Sequence, residues 1–254
     1  MTGDDLVLDP ADPLASAAVE AIRGGDVETL RQLLAEHPGL ATARLDDSAG
    51  RPFCRMTRTL LHVATDWPGH FPNGAATVTA LVAAGADVNA RFTGRHQETP
   101  LHWAASSDDV AVLDALLDAG ADIDATGAVI GGGTPLDDAT AFAQWHVARR
   151  LVERGASTTM WHAATLGLDD RLREYFTGPT PPEPDEVNAA LWGACHGGHR
   201  SGAAYLLDRG ADINWIPGWE DRTPLDAAVR SEATELADWL RGRGAKTAAE
   251  LHAG

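Results

Sequence analysis

Apolar positions along this chain recur at helical spacing, and the pattern stops and restarts many times. The clearest stretch covers 98–125. Leu101, Ala104 and Ala105 form a narrow apolar face, 106–109 are polar, and Val110, Leu113, Leu116 and Leu117 then recur three and four apart. That spacing predicts two amphipathic helices joined by a tight turn. Thr99-Pro100 suits the start of the first helix, because proline's missing N–H is a donor that a first turn would leave unpaired anyway. Gly120 suits the left-handed residue that ends the second. Ala121-Asp122 leads into a loop, so the unit reads helix, turn, helix, loop in roughly 33 residues.

The opening phrase of this unit recurs. TLLHVAT begins at Thr59, TPLHWAA at Thr99, TPLDDAT at Thr134, TMWHAAT at Thr159 and TPLDAAV at Thr223. Full tails follow twice, at 78–90 and 110–125. Such self-similarity predicts stacked repeats, each burying its apolar face against the next. Aligned on the opening slot, units start near Ser16, Thr59, Thr99, Thr134, Thr158, Ala189 and Thr223, seven in all, with spacings of 43, 40, 35, 24, 31 and 34. Residues 1–13 read as a flexible acidic tail and 14–254 as one array, its charged outer units serving as caps.

The phrases T-P-L-H-x-A-A and G-A-D-hydrophobic-N/D-A resemble the ankyrin repeat, and the resemblance covers about 240 of the 254 residues. It implies an all-α solenoid, with short inner helices lining a concave face, longer outer helices behind, and projecting finger loops. It also implies protein–protein binding, which a fold analogy suggests but does not derive. Within that scheme His62 and His102 tie the turn, Cys195 fills a small buried slot, and His199 sits at a structural turn position.

Composition narrows the partners. Twenty basic against 37 acidic residues leave a net charge of −17. That disfavours nucleic acid and anionic membrane, which bind through lysine and arginine, and favours a partner with a basic surface. Two cysteines are too few for a disulfide framework. No apolar stretch approaches a membrane span, and the N-terminus lacks the features of a signal peptide. A cytoplasmic monomer without cofactor or metal is the expectation.

Five departures from a plain repeat mark candidate sites. The loop 66–74 (DWPGHFPNG) carries Trp67 and His70 and could form a lip over the concave face. The finger 91–98 brings Phe92, Arg95 and His96, and the finger 214–222 brings Trp215 and Trp219. The slot after T-P-L-H reads Val63, Trp103, Asp138, His162, Gly193 and Ala227, which would set Asp138 beside His162 as an acid–base pair. Last, Cys195-His196-Gly197-Gly198-His199 has metal-like spacing, yet packing accounts for Cys195 and His199 and leaves His196 to project. The finger is nearly absent between Gly155 and Met160, and Trp145, Trp161 and Trp192 surround that notch, the last two in the slot that ordinarily holds histidine.

Two functions follow. The first is a binding module that grips a protein partner through its fingers and tryptophans. The alternative is a small-molecule pocket lined by tryptophan, with Asp138 and His162 as acid and base.

Overall fold

The computed structural model describes residues 6–46, 48 and 56–253. Cys54 lies outside them. The chain divides into two compact units, Met1–Ala156 and Ser157–Gly254. The division falls in the shortened finger, where the loop between consecutive helix pairs is minimal.

The first unit begins earlier than the sequence suggests. Within the expected tail, β1 (Val7–Leu8) pairs parallel with β2 (Arg44–Asp46), and β2 pairs antiparallel with β3 (Thr57–Thr59). Asp12 then caps α1 (Pro13–Gly24) by accepting from the Leu14 N–H at 2.8 Å. Strands of two and three residues are too short for alternation to reveal them. Arg44 ties this sheet to the next finger: its Nε donates to Thr57 Oγ1 at 2.6 Å and its Nη2 to the Arg91 carbonyl at 2.6 Å.

Helix pairs follow: α1 with α2 (Val27–Glu36), α3 (Leu60–Ala64) with α4 (Gly74–Ala83), α5 (Pro100–Ser106) with α6 (Val110–Asp118), and α7 (Pro135–Ala141) with α8 (Trp145–Glu153). The second unit holds α9 (Met160–Thr165) with α10 (Asp169–Glu174), α11 (Pro184–His196) with α12 (Arg200–Asp208), α13 (Pro224–Arg230) with α14 (Thr234–Arg241), and α15 (Ala248–His252). Apart from the small sheet the regular elements among the described residues are all helical.

The core alternates leucine with alanine. Leu61, Leu101, Leu136, Leu191 and Leu225 of the first helices are fully buried, as are Leu81, Leu113, Leu151 and Leu206 of the second helices. Each such leucine contributes roughly 2 kcal/mol of burial. The alanines Ala104, Ala139, Ala163, Ala194 and Ala227 are equally buried, and their size lets neighbouring helices approach closely. Gly120 ends α6 at φ 91°, and the next N–H, of Ala121, reaches back to the Leu116 carbonyl at 3.0 Å. A side chain there would be strained.

Candidate functional site

The first helices α3, α5, α7, α9 and α13 are each started by a threonine and a partner three residues on. Thr59 caps α3 and Thr99 caps α5, while the His62 and His102 rings accept from the threonine N–H through Nδ1 at 3.3 and 3.1 Å. Nε2 then carries the proton and donates to the carbonyl that precedes the next opening threonine, Glu98 for His62 at 3.1 Å and Gly133 for His102 at 3.4 Å. Both rings are fully buried, and desolvation lowers their pKa to about 3 and about 4. They are neutral structural ties.

The same slot is filled in other ways elsewhere. Asp137 and Asp226 accept from the N–H of Thr134 and Thr223 at 2.7 and 3.0 Å. A carboxylate cannot donate to the next carbonyl, so Asp226 instead accepts the Ala248 N–H at 2.8 Å. Trp192 does the reverse, donating through Nε1 to the Arg222 carbonyl at 3.0 Å. It has no acceptor to offer its own helix, and none is required. α11 starts five residues before the expected unit start, at Pro184, with Glu183 and Glu186 closing the cap.

This slot logic corrects one alignment. Thr159, not Thr158, caps α9, and the His162 Nδ1 accepts its N–H at 3.1 Å. His162 therefore occupies the histidine slot itself, and Trp161 stands one position before it. Asp138 does occupy the slot after. It belongs to the first unit and His162 to the second. Asp138 is fully buried, its Oδ1 accepts the Ile130 N–H at 3.4 Å, and its Oδ2 has no hydrogen-bond partner. Desolvation, reinforced by Glu98, raises its pKa to about 7.

In the first unit the remaining candidates scatter. Trp103 is half-buried, edge-on to His62 with centroids 4.9 Å apart and 5.7 Å from Phe92. Its side chain hydrogen-bonds the carboxylate of Glu98, whose pKa is raised by burial. His96 is half-buried and Arg95 exposed on the same finger. Trp145 opens α8. The loop 66–74 is held down rather than free. The His70 N–H donates to Asp109 Oδ2 at 2.8 Å, Asn73 Nδ2 donates to the Gly25 carbonyl at 2.9 Å, and Asp66 pairs with Arg58 at 2.8 Å. It lies on the helix–helix turns of the neighbouring pairs, and Trp67 remains 79% exposed.

In the second unit the candidates converge. Trp161 stacks on Trp192 with centroids 5.7 Å apart and planes 19° from parallel. Trp219 stands edge-on to both, at 6.2 and 6.4 Å, and Trp215 packs against Trp219 at 5.5 Å. Gly193 permits this: a Cβ there would come within 3.0 Å of the Trp161 ring. Arg230 lies over Trp192 at 5.4 Å and is fixed by Glu220 at 2.6 Å, which also holds Arg222 at 2.9 Å. His196 is buried, its ring 5.4 Å from Trp192 and its Nδ1 3.4 Å from Ser231 Oγ, so it does not project. Arg230 and Glu220 were missed by sequence reasoning. They are ordinary charged surface positions until the path of the finger is known.

Comparison with known proteins bears on the repeats. Residues 72–161 match a family model described as ankyrin repeats in three copies. Residues 72–161 carry ankyrin repeats. It is also 28% identical over 186 residues to a Caenorhabditis briggsae protein described as an ankyrin repeat and KH domain-containing protein. That alignment covers 70% of this chain but 7% of the other protein. Ankyrin repeats are generally protein-interaction modules, and this one concentrates its aromatic surface on the second unit. Cys195 fills an ankyrin alanine slot, fully buried, and burial pushes its thiol pKa up. Among the described residues no three His, Cys, Asp or Glu side chains are grouped to hold a metal, and no helix is long and apolar enough to cross a membrane.

Proposed function

We propose that this ankyrin-repeat chain is a non-catalytic binding module whose docking surface is the tryptophan cluster of the second unit. The observation that supports it is Trp219, 60% exposed yet seated on three other indoles. A large ring held rigid at the surface loses little entropy on binding, which is what makes tryptophan an interface hot spot. The net charge of −17 favours a partner with a basic surface. Neither a cofactor nor nucleic acid or membrane enters this reading, and the module acts as a cytoplasmic monomer.

The test is affinity capture from a source lysate with the unmodified chain, Trp215→Ala/Trp219→Ala, and Trp67→Ala as control. A partner kept by the first and third, lost roughly tenfold or more by the second, and able to shift tryptophan fluorescence when purified supports the assignment. Equal retention by all three removes it.

One observation favours a second reading, a small-molecule site in the first unit. The unpaired Oδ2 of Asp138 is a proton donor or acceptor, and Asp138 feels the charge of Glu98, which bonds the Trp103 side chain. A metabolite that raises the melting temperature of the unmodified chain but not of Asp138→Asn supports it, and no such metabolite across a broad library counts against it. The expected partner His162 spends Nδ1 on its own helix cap.

A further inference from the structure

The second helices of the second unit carry a different arrangement. Arg209 lies over the Tyr205 ring at 4.6 Å and over Phe176 at 5.2 Å, and Arg173 reaches the same Tyr205 ring at 5.2 Å. Phe176 and Tyr205 meet edge-on at 5.4 Å. One helix pair further on, Trp239 is approached by Arg243 at 4.0 Å and by Arg200 at 5.3 Å. These contacts run across the row of second helices, α10, α12 and α14.

The four guanidiniums share a second property. Arg173, Arg200, Arg209 and Arg243 are exposed, and none makes an ion pair or a hydrogen bond among the described residues. Arg58, Arg150, Arg154, Arg222 and Arg230 are all held by carboxylates. In a chain with 37 acidic residues, four unpaired and stacked arginines on one face call for a cause.

Helix dipoles account for part of the pattern. Arg173 lies in the last turn of α10 and Arg209 just past the end of α12, where a cation is favourable. Arg200 opens α12, where the dipole opposes a cation, so the dipole does not explain it. Stacking removes water from one face of a guanidinium and limits its rotamers, while its in-plane N–H donors stay available for a carboxylate fork.

We propose that this row is a second docking surface, and that its occupant is an acidic peptide segment. Arg200 and Arg209 stand at opposite ends of α12, roughly 13 Å of helix apart. An extended peptide covers that span in about four residues, so acidic side chains at every fourth position match the two arginine pairs. Exposed Glu174, Asp208 and Asp238 lie along the same helices. They oppose the unbroken phosphate run of a nucleic acid, whereas separated carboxylates can reach the arginines between them.

The probe is a fluorescein-labelled peptide of alanine with glutamate at every fourth position, titrated with the full chain and followed by anisotropy near about 0.15 M salt. The proposal expects saturable binding that weakens roughly tenfold or more in Arg173→Gln/Arg200→Gln/Arg209→Gln/Arg243→Gln. Trp215→Ala/Trp219→Ala must bind this peptide normally, which keeps the result separate from the tryptophan surface. Should circular dichroism show the fourfold variant unfolded, Arg173→Gln/Arg209→Gln and Arg200→Gln/Arg243→Gln are each expected to lose about threefold or more. Absence of saturable binding, equal binding by the glutamine variants, or tighter binding of a single-stranded oligonucleotide overturns the proposal.

Discussion

Trp192 holds the Arg222 carbonyl at 3.0 Å through its indole N–H, in the place where His62 and His102 hold the corresponding carbonyls through imidazole. Trp192 is 3% exposed, so the Arg222 carbonyl meets a largely dry donor. Trp192→Phe keeps most of the packing and removes the donor. It is expected to destabilise the second unit by about 1–3 kcal/mol, the range for a polar group left unpaired. Trp192→Ala adds a cavity and is expected to cost about 3–5 kcal/mol. Urea denaturation followed by circular dichroism checks both, and a costless Trp192→Phe would show that packing alone matters.

Gly193 is conspicuous for what it lacks. A Cβ at that position would come within 3.0 Å of the Trp161 ring and would press still harder on Thr165. Gly193→Ala is therefore expected to destabilise by about 1–3 kcal/mol despite alanine's better helix propensity. The near-ultraviolet signal of the stacked Trp161–Trp192 pair should fall with it. A stabilised variant with an unchanged aromatic spectrum would contradict the packing described.

The loop 66–74 depends on Asp109. One carboxylate oxygen accepts the Val112 N–H at 3.1 Å and so caps α6, while the other accepts the His70 N–H at 2.8 Å. Asp109→Ala loses both and is expected to cost about 2–3 kcal/mol. Amide hydrogen exchange across the loop, read by mass spectrometry, should speed up markedly. An unchanged exchange rate would mean the loop is held elsewhere.

Stability in the first unit carries two opposed pH dependences. His62 and His102 have folded pKa values of about 3 and about 4, below the usual 6.5. The unfolded chain takes up protons that the folded chain refuses, so this stability is lost as pH falls below about 6.5. Asp138 runs the other way. Its folded pKa of about 7 lies above the ordinary 3.8, so the folded chain holds a proton that the unfolded one releases, and stability falls as pH rises from about 4 to about 7. Between about pH 4 and 6.5 two histidines act against one carboxylate. The histidines dominate below pH 6.5, so stability should rise from pH 4 and peak near 6.5. Asp138→Asn is expected to steepen that rise and to remove the decline toward pH 7, as read from urea midpoints across the range. A parallel pH profile for the variant would mean Asp138 titrates normally.

Much of this architecture could be read from residues because the repeat fixes a slot for each one. Thr59, Thr99, Thr134 and Thr223 all open helices where the phrase says they should. The error at His162 came from two adjacent threonines, Thr158 and Thr159. Spacing cannot choose between them, and the cap that His162 closes does. The sheet of β1 to β3 gave no signal, since its strands are shorter than one alternation can establish. For the tryptophans, sequence placed Trp161, Trp192, Trp215 and Trp219 as residues the stack does not require, and the fold brings these four together. It grouped Trp145 with them, whereas Trp145 lies in the other unit. The stacked arginines escaped notice because Arg173 and Tyr205, like Arg200 and Trp239, come from separate helices, and only lateral packing makes them neighbours.

The slot ties have a direction. His62 reaches forward to Glu98, His102 to Gly133 and Trp192 to Arg222, so in these pairs a ring on the earlier helix secures the start of the later one. The chain is thus fastened like overlapping roof tiles, each pinned by its predecessor. Loss of a later pair strands one donor, on a ring that stays folded. Loss of an earlier pair unpins the first turn of the one laid next to it. Damage to one tile is thus felt by its neighbour, and the ring that guards each of these seams belongs to the helix before it.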